Sequence, residues 1–186
     1  AALQALAQTW PDETTRELLA QRAIQDNDAP PRSAALQALA QTWPDETTRE
    51  LLAQRAVQDD DGYPRSAALQ ALAQAWPDES TRELLSQRAI QDDDAAPRST
   101  ALQALAQIWP NKTTGELLSQ RVVQDSHETP RGVAWAALGK MHSEFGRILP
   151  TRDLDGFEPY LDPLEPVPRH HIEQAAKKAN IPAEDI

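Results

Sequence analysis

Four tryptophans, Trp10, Trp43, Trp76 and Trp109, stand 33 residues apart, and each is followed by proline. A period of that length is the mark of a repeat architecture built from one supersecondary unit per period. The units begin at Ala1, Ala34, Ala67 and Thr100, and the first two differ at only four positions. A fifth, decayed unit begins at Val133; it keeps Ala134, Ala136, Ala137 and Leu138, with Trp135 where Leu102 stands one unit earlier and His142 in place of the tryptophan.

Each unit reads as two helices. Leu36, Leu39, Ala40 and Trp43 recur at i, i+3, i+4 and i+7, an apolar stripe on one helical face. Pro44 ends that helix, because the residue before a proline is pushed out of the α region. The second helix opens on a Thr-x-x-Glu capping box, Thr47 with Glu50, repeated as Thr14/Glu17, Ser80/Glu83 and Thr113/Glu116. Leu51, Leu52, Ala56 and Val57 are expected to be its buried side. An acidic loop, Asp59 to Pro64, closes the unit, with an aspartate to cap the next helix and a proline near its first turn. One hairpin cannot bury its own stripe, so neighbours must stack into a continuous core. The pattern predicts an all-α solenoid with four regular hairpins and with Trp43 and Trp76 mostly buried between them. A Trp76→Ala change in such a packed site costs about 3–5 kcal/mol.

Beyond Ser143 the period is lost. Pro150, Pro159, Pro163, Pro166, Pro168 and Gly156 forbid a long helix across 150–168. The expected organisation is therefore a repeat array over 1–145, a Pro-rich capping loop over 146–168 and a helical segment over 169–186 that is cut short. Phe157, Tyr160 and Leu161 are available to cover the end of the stack.

A helical hairpin ending in an Asp-rich turn, followed by Pro-Arg and an Ala/Leu helix, resembles the HEAT repeat, a right-handed α-solenoid unit. Asp61 with Arg65 looks like that family's inter-repeat Asp and Arg, with Asp28/Arg32, Asp94/Arg98 and Asp125/Arg131 as counterparts. The run Arg-Ser-Ala-Ala-Leu-Gln-Ala-Leu-Ala-Gln-x-Trp is similar to the C-terminal arrays of bacterial NACHT-type STAND NTPases, over about residues 1–145. The segment from Arg152 to Pro163 also looks like sequence that follows such arrays. The resemblance implies a sensor or autoinhibitory module in the bacterial cytoplasm, with the NTPase domain upstream. This chain itself holds no GxxxxGK[ST] loop.

Chemistry-bearing residues give little else. The 29 acidic against 18 basic residues, a net charge of −11, disfavour nucleic acid and suit a basic protein partner. There is no cysteine for disulfides or thiolate metal sites. No apolar run approaches the ~20 residues of a membrane span. Asp59 to Asp61 and Asp92 to Asp94 lack calcium-loop spacing, as does Asp153 to Gly156. His170 and His171 diverge by ~100° on a helix and have no further ligands beside them. Ser33, Ser66 and Ser99 repeat without a partner base. No catalytic residue, cofactor or metal is therefore expected.

The units differ mainly at one place: Asn27 to Pro30, Asp60 to Tyr63, Asp93 to Ala96 and Ser126 to Thr129. Changes in repeat proteins map to loops on one edge, often the binding edge. Asp60, Tyr63, Asp93 and His127 are the candidate protein contacts. The leading functional expectation is a non-catalytic interaction scaffold. A HEAT-like enzyme of the phycobilin-lyase type, a HEAT-like DNA glycosylase, and a pure spacer remain the alternatives. An enclosed apolar pocket would favour the lyase, a basic groove the glycosylase.

Overall fold

A computed structural model describes residues 2–145, and all the elements it shows there are helices. The chain divides into two compact units, Ala1–Leu138 and Gly139–Ile186. The first contains four hairpins: α1 (Ala2–Thr9) with α2 (Glu13–Gln25), α3 (Ala29–Thr42) with α4 (Glu46–Gln58), α5 (Gly62–Ala75) with α6 (Glu79–Gln91), and α7 (Ala95–Ile108) with α8 (Lys112–Gln124). The expected all-α solenoid of helical hairpins is thus what forms. The loop over 146–168 and the helical segment over 169–186 lie outside the described residues, as do His170 and His171.

The first helices of successive hairpins, α1, α3, α5 and α7, pack side by side. Behind them, α2, α4 and α6 pack against the first helix of the next hairpin. Each of α1 to α7 therefore packs across a repeat boundary, and no hairpin closes its core alone.

The break inside each hairpin follows the Trp-Pro pair. In the second unit α3 stops at Thr42, and Trp43 leaves the helix at φ −128° and ψ 74°. Its N–H still donates to Leu39 O at 2.8 Å. The fifth unit shows the converse. Ser143 replaces the proline, and α9 (Glu128–Phe145) runs straight through the position where the other units turn.

The cap of the second helix differs from the Thr47/Glu50 box. The N-cap is Asp45, whose carboxylate accepts from the Thr48 N–H at 3.0 Å. Asp12, Asp78 and Asn111 do the same for Thr15, Thr81 and Thr114. Helix geometry starts one residue after the aspartate, so the threonine at the expected cap position is already inside the first turn. Removal of the Asp12 carboxylate isolates the cap, because it makes no other hydrogen bond among the described residues. Asp12→Ala is expected to cost about 1 kcal/mol in chemical denaturation, and the same midpoint as wild type would contradict it.

The core is narrower and more aliphatic than the stripes suggested. Thr48, Leu52 and Ala56, at i, i+4 and i+8, are the buried line of α4, and the same line recurs in α2 and α6. Leu51 is only half-buried, and Val57 is 45 % exposed. One residue past Ala56 turns the side chain by ~100°, which carries Val57 off the packed face. Trp43, Trp76 and Trp109 are half-buried, and Trp10 is exposed. The fully buried large side chains are mainly leucines, among them Leu36, Leu39, Leu69, Leu72, Leu102 and Leu105. The tryptophans have left the helix before the chain turns, so they cover the hairpin's end rather than fill its centre. Alanines at 35, 38, 68 and 101 let the helices approach closely.

Candidate interaction surfaces

Three kinds of arrangement stand out: ion-pair ladders between hairpins, one buried and one on the solvent side, an acidic loop edge, and a glutamine-lined groove between α3 and α5.

The ladder joins each repeat to the next. Arg65 donates from Nε to Asp92 Oδ2 at 3.1 Å and from Nη2 to Asp92 Oδ1 at 2.8 Å, a bidentate pair. Its Nη1 reaches back to Asp59 O in its own loop at 2.7 Å. Arg32 holds Asp59 in the same way, and Arg98 holds Asp125. The receiving carboxylate also accepts the N–H two residues on, as Asp92 does from Asp94 at 3.1 Å. Arg65, Asp92, Arg98 and Asp125 are all buried.

The expected pairing of Asp61 with Arg65 and its counterparts is thereby corrected. The arginine's partner is the first aspartate of the next loop, 27 residues on, and Asp125 belongs to Arg98 rather than Arg131. The aspartates at the third loop position, Asp28, Asp61 and Asp94, stand at the N-caps of α3, α5 and α7. Asp61 accepts there from the Tyr63 N–H at 2.8 Å.

Burial opposes the charge on Asp125, but hydrogen bonds from Arg98 and from the His127 N–H outweigh it and hold this carboxyl below its ordinary value. The Asp92 hydrogen bond likewise raises Arg65 above the ordinary arginine value. A carboxyl with a depressed folded value contributes stability above its unfolded value and loses that contribution as the pH falls through the folded one.

One variable-loop residue has a structural reason. A Cβ on Gly62 would lie 2.8 Å from Asp94 Oδ2. Its absence lets Asp94 reach Arg65 Nη2 at 2.8 Å. The preceding repeat carries Ala29 in the equivalent place, and Arg32 has no such second carboxylate.

A second ladder lies on the solvent side. Arg16 pairs with Asp45 at 2.7 Å and Arg49 with Asp78 at 2.6 Å. Asp45 is held below its ordinary value chiefly by the Thr48 N–H, with Arg16 adding to it. At the next interface Asn111 replaces the aspartate, and Arg82 turns to Glu79 of its own helix.

Three of the candidate contact residues, Asp60, Asp93 and His127, lie in the loops that enter α5, α7 and α9, and Tyr63 lies in the first turn of α5. Asp60, Tyr63, Asp93 and His127 are all exposed, Tyr63 at 72 %. They occupy successive repeats and do not converge on one centre. His127 Nδ1 accepts from the Thr129 N–H at 3.2 Å, so its ring also caps a turn. The repeated serines turn inward: Ser33, Ser66 and Ser99 each donate to the carbonyl four residues back. No group of three or more possible metal ligands occurs among the described residues. No helix there is long and apolar enough to cross a membrane.

Residue-by-residue candidates had missed the third arrangement. Gln37, Gln41, Gln70 and Gln74, with Ala40, Ala71 and Ala75, line an open groove of about 420 Å³ between α3 and α5. The signal lay in the strict recurrence of Gln-x-x-x-Gln in every first helix, at Gln4/Gln8, Gln37/Gln41, Gln70/Gln74 and Gln103/Gln107.

Residues 1–73 and 49–139 match the family model described as HEAT repeats, and together these matches span most of the chain. The chain belongs to the HEAT-repeat family. The HEAT array matched in this way coincides with the four hairpins and most of α9. Residues 144–186 match a second family model, described as wHTH-Hsp90_Na associated. No curated protein and no solved structure matches the chain.

Proposed function

We propose that this HEAT array is a non-catalytic protein-interaction scaffold. The carrying observation is the repetition itself: successive hairpins present the same polar face, the first three with an exposed acidic loop, while Arg32, Arg65 and Arg98, which would offset that charge, are drawn into the ladder. A surface of this kind recognises a protein along its length and concentrates no reactive groups at one point. Asp60, Tyr63, Asp93 and His127 form the contact edge in this reading, and the partner is basic.

The likeness to NACHT-type STAND arrays supports a sensor or regulatory role in a larger bacterial, cytoplasmic NTPase whose catalytic domain lies upstream. The similarity of residues 144–186 to a segment described as Hsp90_Na associated supports a regulatory chain of several modules. The polar lining of the groove between α3 and α5 counts against a lyase pocket, which needs enclosed apolar walls.

The full chain as bait is expected to capture a basic protein, and Asp60→Lys with Asp93→Lys is expected to weaken the capture by about tenfold or more. Failure to retain any protein would reject the scaffold. So would ATP turnover by the pure chain, or DNA binding that persists at ~150 mM salt.

A further inference from the structure

We infer that the glutamine-lined groove across the first helices binds an extended, basic polypeptide segment through its main-chain amides. The inference rests on the scaffold reading and gives it a site and a ligand class.

The groove floor is made for a backbone. Ala40 and Ala71 are buried and small, so a chain can approach the helices closely. Gln41, Gln70 and Gln74 are exposed above them, and Gln37 is half-exposed. Each glutamine carries both a donor and an acceptor, the complement of a peptide unit. Their side chains make no hydrogen bond among the described residues. The glutamines of the second helices behave differently: Gln54 donates to Gln58 at 3.1 Å, and Gln21/Gln25 and Gln87/Gln91 pair in the same way.

Spacing fits the same occupant. Helices packed side by side lie about 8–10 Å apart. Three residues of extended chain span about 10 Å. A strand crossing α3 and α5 therefore meets the second Gln-x-x-x-Gln pair about three residues after the first, and α1 and α7 carry the same pair in sequence. Tyr63, Gln70 and Gln74 stand at i, i+7 and i+11 of α5, so the exposed tyrosine lies on the same face.

Charge selects the partner. The groove lining is neutral, but both ends of these helices are acidic. Asp60 and Asp93 are exposed and make no ion pair among the described residues where α5 and α7 begin; Asp94, Glu46 and Glu79 are exposed too, but paired with Arg65, Arg49 and Arg82. The net charge of −11 attracts a lysine-bearing chain to this face and repels a polyanion. A nucleic acid strand has the opposite charge and meets no basic residue in the groove.

The test uses the full chain and a fluorescent twelve-residue peptide, (Lys-Ala-Ser)4, in polarisation titrations. Saturable binding below about 1 mM is expected. Gln41→Ala with Gln74→Ala, checked for an unchanged melt, is expected to weaken it at least about tenfold. N-methylation of alternate peptide amides is expected to do the same, and (Glu-Ala-Ser)4 is expected not to bind. Absence of saturable binding overturns the inference. So does binding that is indifferent to both the glutamine substitutions and the N-methylation, which would show charge attraction alone. Pull-downs separate the two readings. Equal capture of a protein by wild type and by the Gln41→Ala/Gln74→Ala chain removes the groove and leaves the scaffold, whereas no capture by either removes both.

Discussion

Asp92→Ala is expected to destabilise the array by about 3–5 kcal/mol, because it strands a buried guanidinium. Arg65 loses both bonds of its bidentate pair and keeps only Asp59 O and the partly exposed Asp94. The Asp94 N–H loses its acceptor as well. The cost is mainly that of an unpaired buried charge, so removal of both partners should recover much of it. Asp92→Leu with Arg65→Met is expected to lie closer to wild type than Asp92→Ala alone. Urea denaturation of the three chains checks this. A midpoint for Asp92→Ala within error of wild type would show that the ladder contributes nothing to stability. The damage should be concentrated at the α5–α7 interface, since a solenoid's stability is approximately a sum of nearest-neighbour terms. Hydrogen exchange should therefore rise first in α6 and α7.

Leu72→Ala is expected to cost about 2–5 kcal/mol. Leu72 is almost fully buried on α5, which packs against α3, α4 and α7. Truncation removes a large side chain from a closed core, so the transfer and cavity terms add. Trp76→Ala removes a half-buried cover at the end of the same helix and leaves no closed void, so only the transfer part applies. A thermal melt of Leu72→Ala that coincides with wild type would contradict this account of the core.

The 33-residue period, the helix stops at Trp-Pro and the stacking of hairpins were all legible in the chain, because each follows from local rules. Proline's missing N–H, the i, i+3, i+4 spacing of leucines and the capping preference of aspartate act within a few residues of each other. The place of the variable, exposed edge was also legible, since repetition shows where the units differ. The cap was misplaced by two residues: Asp45 and Thr47 are both good capping residues, and only the backbone decides which one stands outside the first turn.

What the sequence could not decide is everything set by the offset between neighbouring repeats. Arg65 lies four residues from Asp61 and 27 from Asp92, and sequence proximity favours the wrong partner. The stacking geometry carries Arg65 past its own loop, where its Nη1 takes a carbonyl, and onto the first carboxylate of the next. Gly62 in place of alanine has no reason within its own repeat; Asp94 of the next occupies the space of its missing Cβ. Val57 and the tryptophans satisfied a helical periodicity, yet burial depends on which helices lie opposite, and those belong to other repeats. The glutamines became a groove for the same reason: α3 and α5 are 33 residues apart in the chain but adjacent in the stack. The sequence by itself determined the hairpin, its ends and its repetition, because those are local. The tertiary structure decided the ion-pair partners, the depth of each side chain and the groove, because those are distances between repeats.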